Sequence, residues 1–228
     1  MLDAYLNYLV SFITGLEIAA GLLGLVRYRR LPPSLRWLAL LVCFDATMEI
    51  TLWLLVNVFG FKNNLFMFPF IAAGEIVLQI LLYRQVLQSA VFNRIVPWLL
   101  GFFCLYALLN SPLFSTVTTY VISLEILVAL AQIGLAGLYF QKLLNELRVQ
   151  HLYRDPFFWL SVALMTYSLA NMMINLFSHY LLTYCTAQLQ KIVFWGVRGG
   201  TNLILYLAYM LVLWARPAPA NAGPAQLT

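Results

Sequence analysis

Long apolar runs recur along the chain, each ended by a short cluster of charge, Pro, Gly or Asn. Taken as helices, they fall near residues 5–26, 37–59, 65–83, 95–110, 118–141, 156–180 and 192–215. A bilayer core about 30 Å thick is crossed by roughly 20 apolar residues in a helix. The fourth run is short for a span and sits at the low end of what tilt and bilayer thinning accommodate. Seven spans use most of the 228 residues and leave short connections, with no space for a second globular domain. The pattern predicts an all-α, polytopic membrane protein with one seven-helix domain over 1–216. The tail from Pro217 to Thr228 is rich in Pro and Ala and uncharged, and is expected to stay disordered because it has too little apolar surface to bury.

Composition agrees: 63% of residues are hydrophobic and 9% charged, against about a quarter charged in soluble domains. The net charge of +5 could suggest nucleic acid, but the basic residues lie between apolar runs rather than in one patch. No nucleic-acid partner is expected; the lipid bilayer is. The basic residues act as topology signals, because short cytoplasmic loops are enriched in Lys and Arg. Arg27, Arg29, Arg30, Arg36, Arg84, Arg94, Lys142, Arg148, Arg154 and Arg216 all fall on one side of the seven-span arrangement. Only Lys62 and Lys191 fall on the other, and Arg198 lies inside the seventh helix. The N-terminus is therefore expected outside and the C-terminus in the cytoplasm. The first run has no basic segment before it and three arginines after it, the pattern of a retained helix rather than a cleaved signal peptide. Cys43 and Cys104 fall inside apolar runs and Cys185 near a helix end, with no CxxC, so neither a disulfide scaffold nor a zinc site is expected.

The first three and last three helices can be overlaid. Leu16-Glu17-Ile18 matches Leu124-Glu125-Ile126, and aligning Trp37-Leu38 with Trp159-Leu160 sets Glu49 opposite Asn171. Aligning Tyr83 with Tyr206 sets Glu75 opposite Arg198 and Gln79 opposite Asn202. Both triplets begin on the same side, so the expected repeat is parallel, three-plus-one-plus-three, about an axis normal to the membrane.

Five of the eight acidic residues, Glu17, Asp45, Glu49, Glu75 and Glu125, lie within the spans. A charge at the bilayer centre costs at least ~2.5–3.5 kcal/mol on insertion scales, so such groups face the bundle interior, carry a proton or are paired. Asp45 and Glu49 are four apart and share a helix face, as do Glu75 with Gln79, Asn171 with Asn175, and Arg198 with Asn202. Glu17, Glu49 and Glu75 come near mid-depth, with Glu125 and Arg198 together in the outer half. A Glu125–Arg198 pair is expected, with Glu75 as the rival partner. The candidate ligand or proton site is thus Glu17, Asp45, Glu49, Glu75, Glu125, Asn171, Asn175, Arg198 and Asn202. The plainer reading is interhelical hydrogen bonding that serves packing alone.

Microbial rhodopsins carry a lysine in the middle of the last helix, whereas here Lys191 opens that helix and Arg198 occupies its interior. Ceramidase-like seven-helix hydrolases gather several His and Asp residues around zinc, which His151 and His179, on opposite faces, cannot do. SWEET-type sugar transporters share the helix plan, but their Pro-Gln loop signature is absent. Asp155-Pro156-Phe157-Phe158-Trp159 opens the sixth helix, Asn171 and Asn175 follow, and Arg198 and Asn202 mark a polar seventh helix. In these features, mainly over residues 155–202, the chain resembles small uncharacterised bacterial seven-helix proteins, similar to the membrane sensor segments of some histidine kinases. The resemblance implies a non-enzymatic sensor or receptor-like protein without a cofactor. The sequence departs from the kinase members in carrying no catalytic domain after the last helix. A cytoplasmic signalling protein is expected to read the bundle through the connection from Lys142 to Asp155. A proton- or cation-coupled transporter using Glu49 and Glu75 is the alternative, and an intramembrane lipid-modifying enzyme with a carboxylate base a minor one.

Overall fold

In hydrocarbon each backbone N–H and C=O must find its partner within the protein itself, so these runs have no regular structure open to them except helix or closed barrel. The computed structural model describes residues 2–60, 65–109, 120–146 and 155–214, and among these the regular structure is helical. The helices are α1 (Leu2–Arg27), α2 (Pro33–Asn57), α3 (Phe68–Leu87), α4 (Ala90–Leu109), α5 (Tyr120–Asn145), α6 (Pro156–Leu176), α7 (Ser178–Tyr184), α8 (Ala187–Lys191) and α9 (Arg198–Trp214). A π-helical segment, Ile192–Val197, joins α8 to α9 into one long element. Seven helices are long and apolar enough to cross a membrane: α1 to α6, and the element Ala187–Trp214. Exposed Leu22, Val26, Trp98, Leu105 and Leu211 give the bundle an apolar exterior. The chain is read accordingly as a multi-pass membrane protein.

Most boundaries shift by a few residues from the hydropathy reading, and three shifts have a visible backbone cause. The fourth helix is not short: it starts at Ala90, where the Ser89 hydroxyl accepts the Phe92 N–H at 3.4 Å, so Asn93 and Arg94 lie inside it. The helix expected over 156–180 ends at Leu176, where Phe177 leaves helical geometry, and resumes as α7. The seventh helix begins before residue 192, at Ala187, and passes through the π segment before Arg198. Hydropathy reports burial in lipid and is blind to both caps and turns. The tail over 217–228, and Arg148, His151 and Arg154 in the connection between α5 and α6, lie outside the described residues.

The packing order closes a ring. α1 lies on α2, α2 on α3, α3 on α5, α5 on α6, α6 on α9, and α9 returns to α1, while α4 sits outside against α3. Side-chain contacts fix the directions. Thr14 meets Glu49 while Gly24 meets Ala39, so α1 and α2 are antiparallel. Glu125 meets Asn175 and Tyr139 meets Asp155, so α5 and α6 are antiparallel as well. Arg27, closing α1, donates to the Leu213 and Trp214 carbonyls at 2.6 and 2.7 Å, and its guanidinium lies over the Trp214 ring, so α1 and α9 end together. Lys142, near the end of α5, donates to the Val86 carbonyl of α3 at 2.7 Å. Both contacts satisfy carbonyls that a helix C-terminus leaves without intrahelical partners, and both set a cation against the negative end of the helix dipole. These helix ends, with Arg27 and Lys142, form the basic rim of the bundle.

The half of the bundle next to that rim is dry. Leu38, Leu41, Val42, Ile80, Leu82, Leu160, Leu164 and Leu213 are all fully buried there. Small residues bring the helices together without a hydrophobic driving force between them. A Cβ on Gly21 would stand 2.6 Å from that of Ala46, and one on Gly24 would stand 3.1 Å from the Ala39 carbonyl. Gly21→Leu is therefore expected to lower stability by about 1–3 kcal/mol through overpacking, read as a fall in melting temperature in mild detergent. Gly101→Leu on α4, where nothing lies within 4 Å, should be neutral or stabilising; equal losses at the two sites would contradict this packing.

Candidate functional site

The other half of the ring is built differently. α1 contributes Glu17, α2 contributes Asp45 and Glu49, α3 contributes Glu75, and α9 contributes Arg198 and Asn202 to the wall of one cavity of about 770 Å³. Helical spacing explains the α2 pair: positions 45 and 49 stack one turn apart on the face that looks inward. Aromatic rings of Phe68, Tyr167, Phe194, Trp195 and Tyr206 line the same space. Val10, Leu182, Lys191 and Trp195, lining residues that are exposed, belong to the end away from the basic rim. The cavity is thus bounded on one side by the dry half of the bundle and reaches toward the opposite end.

A smaller chamber of about 130 Å³ adjoins it, lined by Glu75, Glu125, Gln132, Tyr167, Asn171 and Arg198 among others. Glu75 and Arg198 line both spaces. Arg198 Nη2 lies 3.0 Å from Glu125 Oε1, and Asn175 Nδ2 donates to Glu125 Oε2 at 2.8 Å. The expected Glu125–Arg198 pair is therefore formed, with Asn175 fixing the second carboxylate oxygen. Glu75 is not the ion-pair partner but faces Arg198 across the shared wall. The ion pair joins α9 to α5 across the ring, and α6 supplies its buttress. The π segment directly before Arg198 widens the turn that presents it; such bulges recur at functional sites.

Every one of the nine residues singled out from the sequence is at this half of the bundle. Eight line one of the two spaces, and Asn175 reaches them through Glu125. Their individual partners differ. Glu49 accepts from the Thr14 hydroxyl at 3.1 Å, and Asp45 Oδ2 accepts from Tyr206 at 3.4 Å. Asp45 is only 8% exposed, and its Oδ1 has no hydrogen-bond partner among the described residues. The same holds for Asn171 Oδ1 in the smaller chamber. Buried polar atoms normally find a partner in the protein or in water, and these two are left without one on residues that line the cavities.

Several members of the site were not legible beforehand. Thr14, Tyr167 and Tyr206 read as ordinary apolar-run residues because hydropathy cannot say which face of a helix is inward when all faces are apolar. Gln132 was equally silent; it accepts from the Ser168 hydroxyl at 2.7 Å. Gln190 gave a better signal, as a polar residue just before the last span. Its Nε2 donates to the Leu181 and Cys185 carbonyls at 3.1 and 3.0 Å, latching α7 to α8 at the cavity wall. Asp155, from the motif that carried the family resemblance, has a structural role: it caps α6 through the Phe157 N–H and accepts from Tyr139 at 2.6 Å.

Comparison with protein-family models, with curated proteins and with solved structures finds no match to this chain.

The Arg198 and Glu125 side chains are 35% and 18% exposed, between the surface and fully buried cases, so removing either partner is expected to destabilise the bundle by about 1–3 kcal/mol. Arg198→Gln and Glu125→Gln, made singly and together, form the test in detergent unfolding. The double variant should lose less than the two singles summed by at least ~0.5 kcal/mol; strict additivity would show that the two groups do not interact.

Proposed function

We propose that the protein is a non-enzymatic membrane sensor or receptor-like protein, whose small-molecule site is the carboxylate-lined cavity inside the helix ring. The observation that carries this reading is the asymmetry of the bundle. Inside the ring, one half holds a cavity within the 300–1,000 Å³ range of small-molecule sites, and the axis of the other half is filled by fully buried aliphatic side chains. A site walled by five of the seven spans and the α7–α8 connection senses occupancy through every one of those helices, and their far ends form the basic rim. Ten basic residues against two on the other side support a cytoplasmic basic rim. A partner reading the state of the bundle would meet it there, along the connection from Lys142 to Asp155. The membrane is the bacterial inner membrane, with the N-terminus outside.

A transporter remains the second reading, and specific contacts favour it. Tyr83 of α3 pairs with Ser161 of α6 at 2.9 Å, and its aligned counterpart Tyr206 of α9 reaches Asp45 of α2. Arg27 closes α1 onto the end of α9, as Lys142 closes α5 onto the end of α3. Exchanging α1, α2, α3 for α5, α6, α9 carries each contact into the other, which supports a parallel two-fold repeat of the kind found in alternating-access carriers.

One measurement tests the orientation and a second separates the two readings. Alkaline phosphatase fused after Thr228 should be inactive and a fluorescent protein there bright, as a cytoplasmic C-terminus requires; the reverse pattern would invert the model of signal direction. Proteoliposomes holding a pH-sensitive dye and given an imposed membrane potential should show no proton flux above protein-free vesicles. A flux abolished by Glu75→Gln would replace the sensor with the carrier.

A further inference from the structure

We infer that the cavity takes an organic ammonium ion, a molecule with a positively charged nitrogen on an apolar body. The inference rests on the cavity assigned above and names its ligand class. Charge comes first. Four carboxyl groups, from Glu17, Asp45, Glu49 and Glu75, face the space against two cations, Lys191 and Arg198. Arg198 is already held by Glu125 at 3.0 Å. An anionic ligand would have to displace Glu125 to gain that arginine, whereas a cation finds carboxyl oxygens directly. One of these, Asp45 Oδ1, is buried on the wall with no partner among the described residues. An ammonium group supplies the N–H donors such an oxygen lacks.

Size and lining then choose among cations. Among the described residues no three of these side chains converge closely enough to hold a metal ion. The carboxyl groups are instead spread around a space of about 770 Å³, far more than a bare ion or proton fills. Between them stand the rings of Phe68, Tyr167, Phe194, Trp195 and Tyr206. Aromatic faces attract a cationic nitrogen through their quadrupoles and prefer alkylated ammonium groups, whose hydration is easily shed. Carboxyl groups interleaved with aromatic rings, in a cavity walled elsewhere by Ile13, Met48, Leu52 and Ile71, match a ligand that is charged at one point and greasy elsewhere.

The test places a thiol in the cavity and reads which charge reaches it. In a background with Cys43→Ser, Cys104→Ser and Cys185→Ser, which removes the free cysteines, Met48→Cys puts a reporter on the wall. The purified full chain is treated with trimethylammonium-ethyl methanethiosulfonate or with sulfonatoethyl methanethiosulfonate, and each rate is divided by that reagent's rate with free mercaptoethanol. A cleft of one sign raises the local concentration of opposite charge, so the normalised cation rate should exceed the anion rate by at least about tenfold. Asp45→Asn and Glu75→Gln, each verified as folded by its melting temperature, should bring the ratio toward one. Labelling by both reagents at equal normalised rates would overturn the ammonium assignment while leaving the cavity in place. Labelling by neither would overturn the cavity reading itself, and with it the proposed sensor site.

Discussion

A carboxylate cannot be left facing hydrocarbon, and this constraint decides the architecture. Five acidic residues on four different spans have to be turned away from lipid at once. No single helix pair can shield them, but a closed ring can. The ring closes where α9 returns to α1, with Leu9 and Ile13 so near Gly199 that an added Cβ would stand 3.1 and 3.2 Å from their side chains. At the basic rim the same two helices are clasped again by Arg27 on the last carbonyls of α9. The Glu125–Arg198 pair then ties α9 to α5 within the polar half. Each of these contacts keeps the interior polar groups enclosed, and none of them requires a covalent link.

The two halves of the ring follow different packing rules. Toward the basic rim, glycine and alanine let α1 and α2 approach closely, and leucine side chains fill the axis. Tyr83 and Ser161 satisfy each other there at 2.9 Å. Away from the rim, bulky rings and carboxyl groups hold the helices apart, and a cavity results. Tyr206, which stands between the zones, is buried in the core and bonded to the deepest carboxyl group, Asp45. A ligand bound in the wide half would press on helices whose narrow half cannot deform continuously, because close-packed interiors change by switching between arrangements. The proposed reading of occupancy at the far end rests on that property.

Much of this was legible in the sequence because lipid imposes simple rules. Hydropathy alone separated seven spans, and the cost of intramembrane charge pointed to Glu17, Asp45, Glu49, Glu75 and Glu125 as an inward-facing set. Depth along the helix was enough to choose Glu125 over Glu75 as the ion-pair partner of Arg198. What escaped were features that hydropathy averages away. The Ser89 cap that starts α4 early, the break at Phe177 and the π segment before Arg198 are matters of backbone hydrogen bonding. Thr14, Tyr167 and Tyr206 escaped for another reason. In an all-apolar helix, period alone does not say which side is inward, so a lone hydroxyl carries no address until its neighbours are known.

Carboxyl groups from three helices line one shared space inside the ring. An experimental density map of the detergent-solubilised protein, at a resolution that shows ordered water, tests it most directly. Such a map should place water or a bound molecule among Glu17, Asp45, Glu49 and Glu75, in contact with Asp45 Oδ1. Finding that space filled by interlocked apolar side chains, or those carboxyl groups turned separately toward the lipid headgroups, would contradict it.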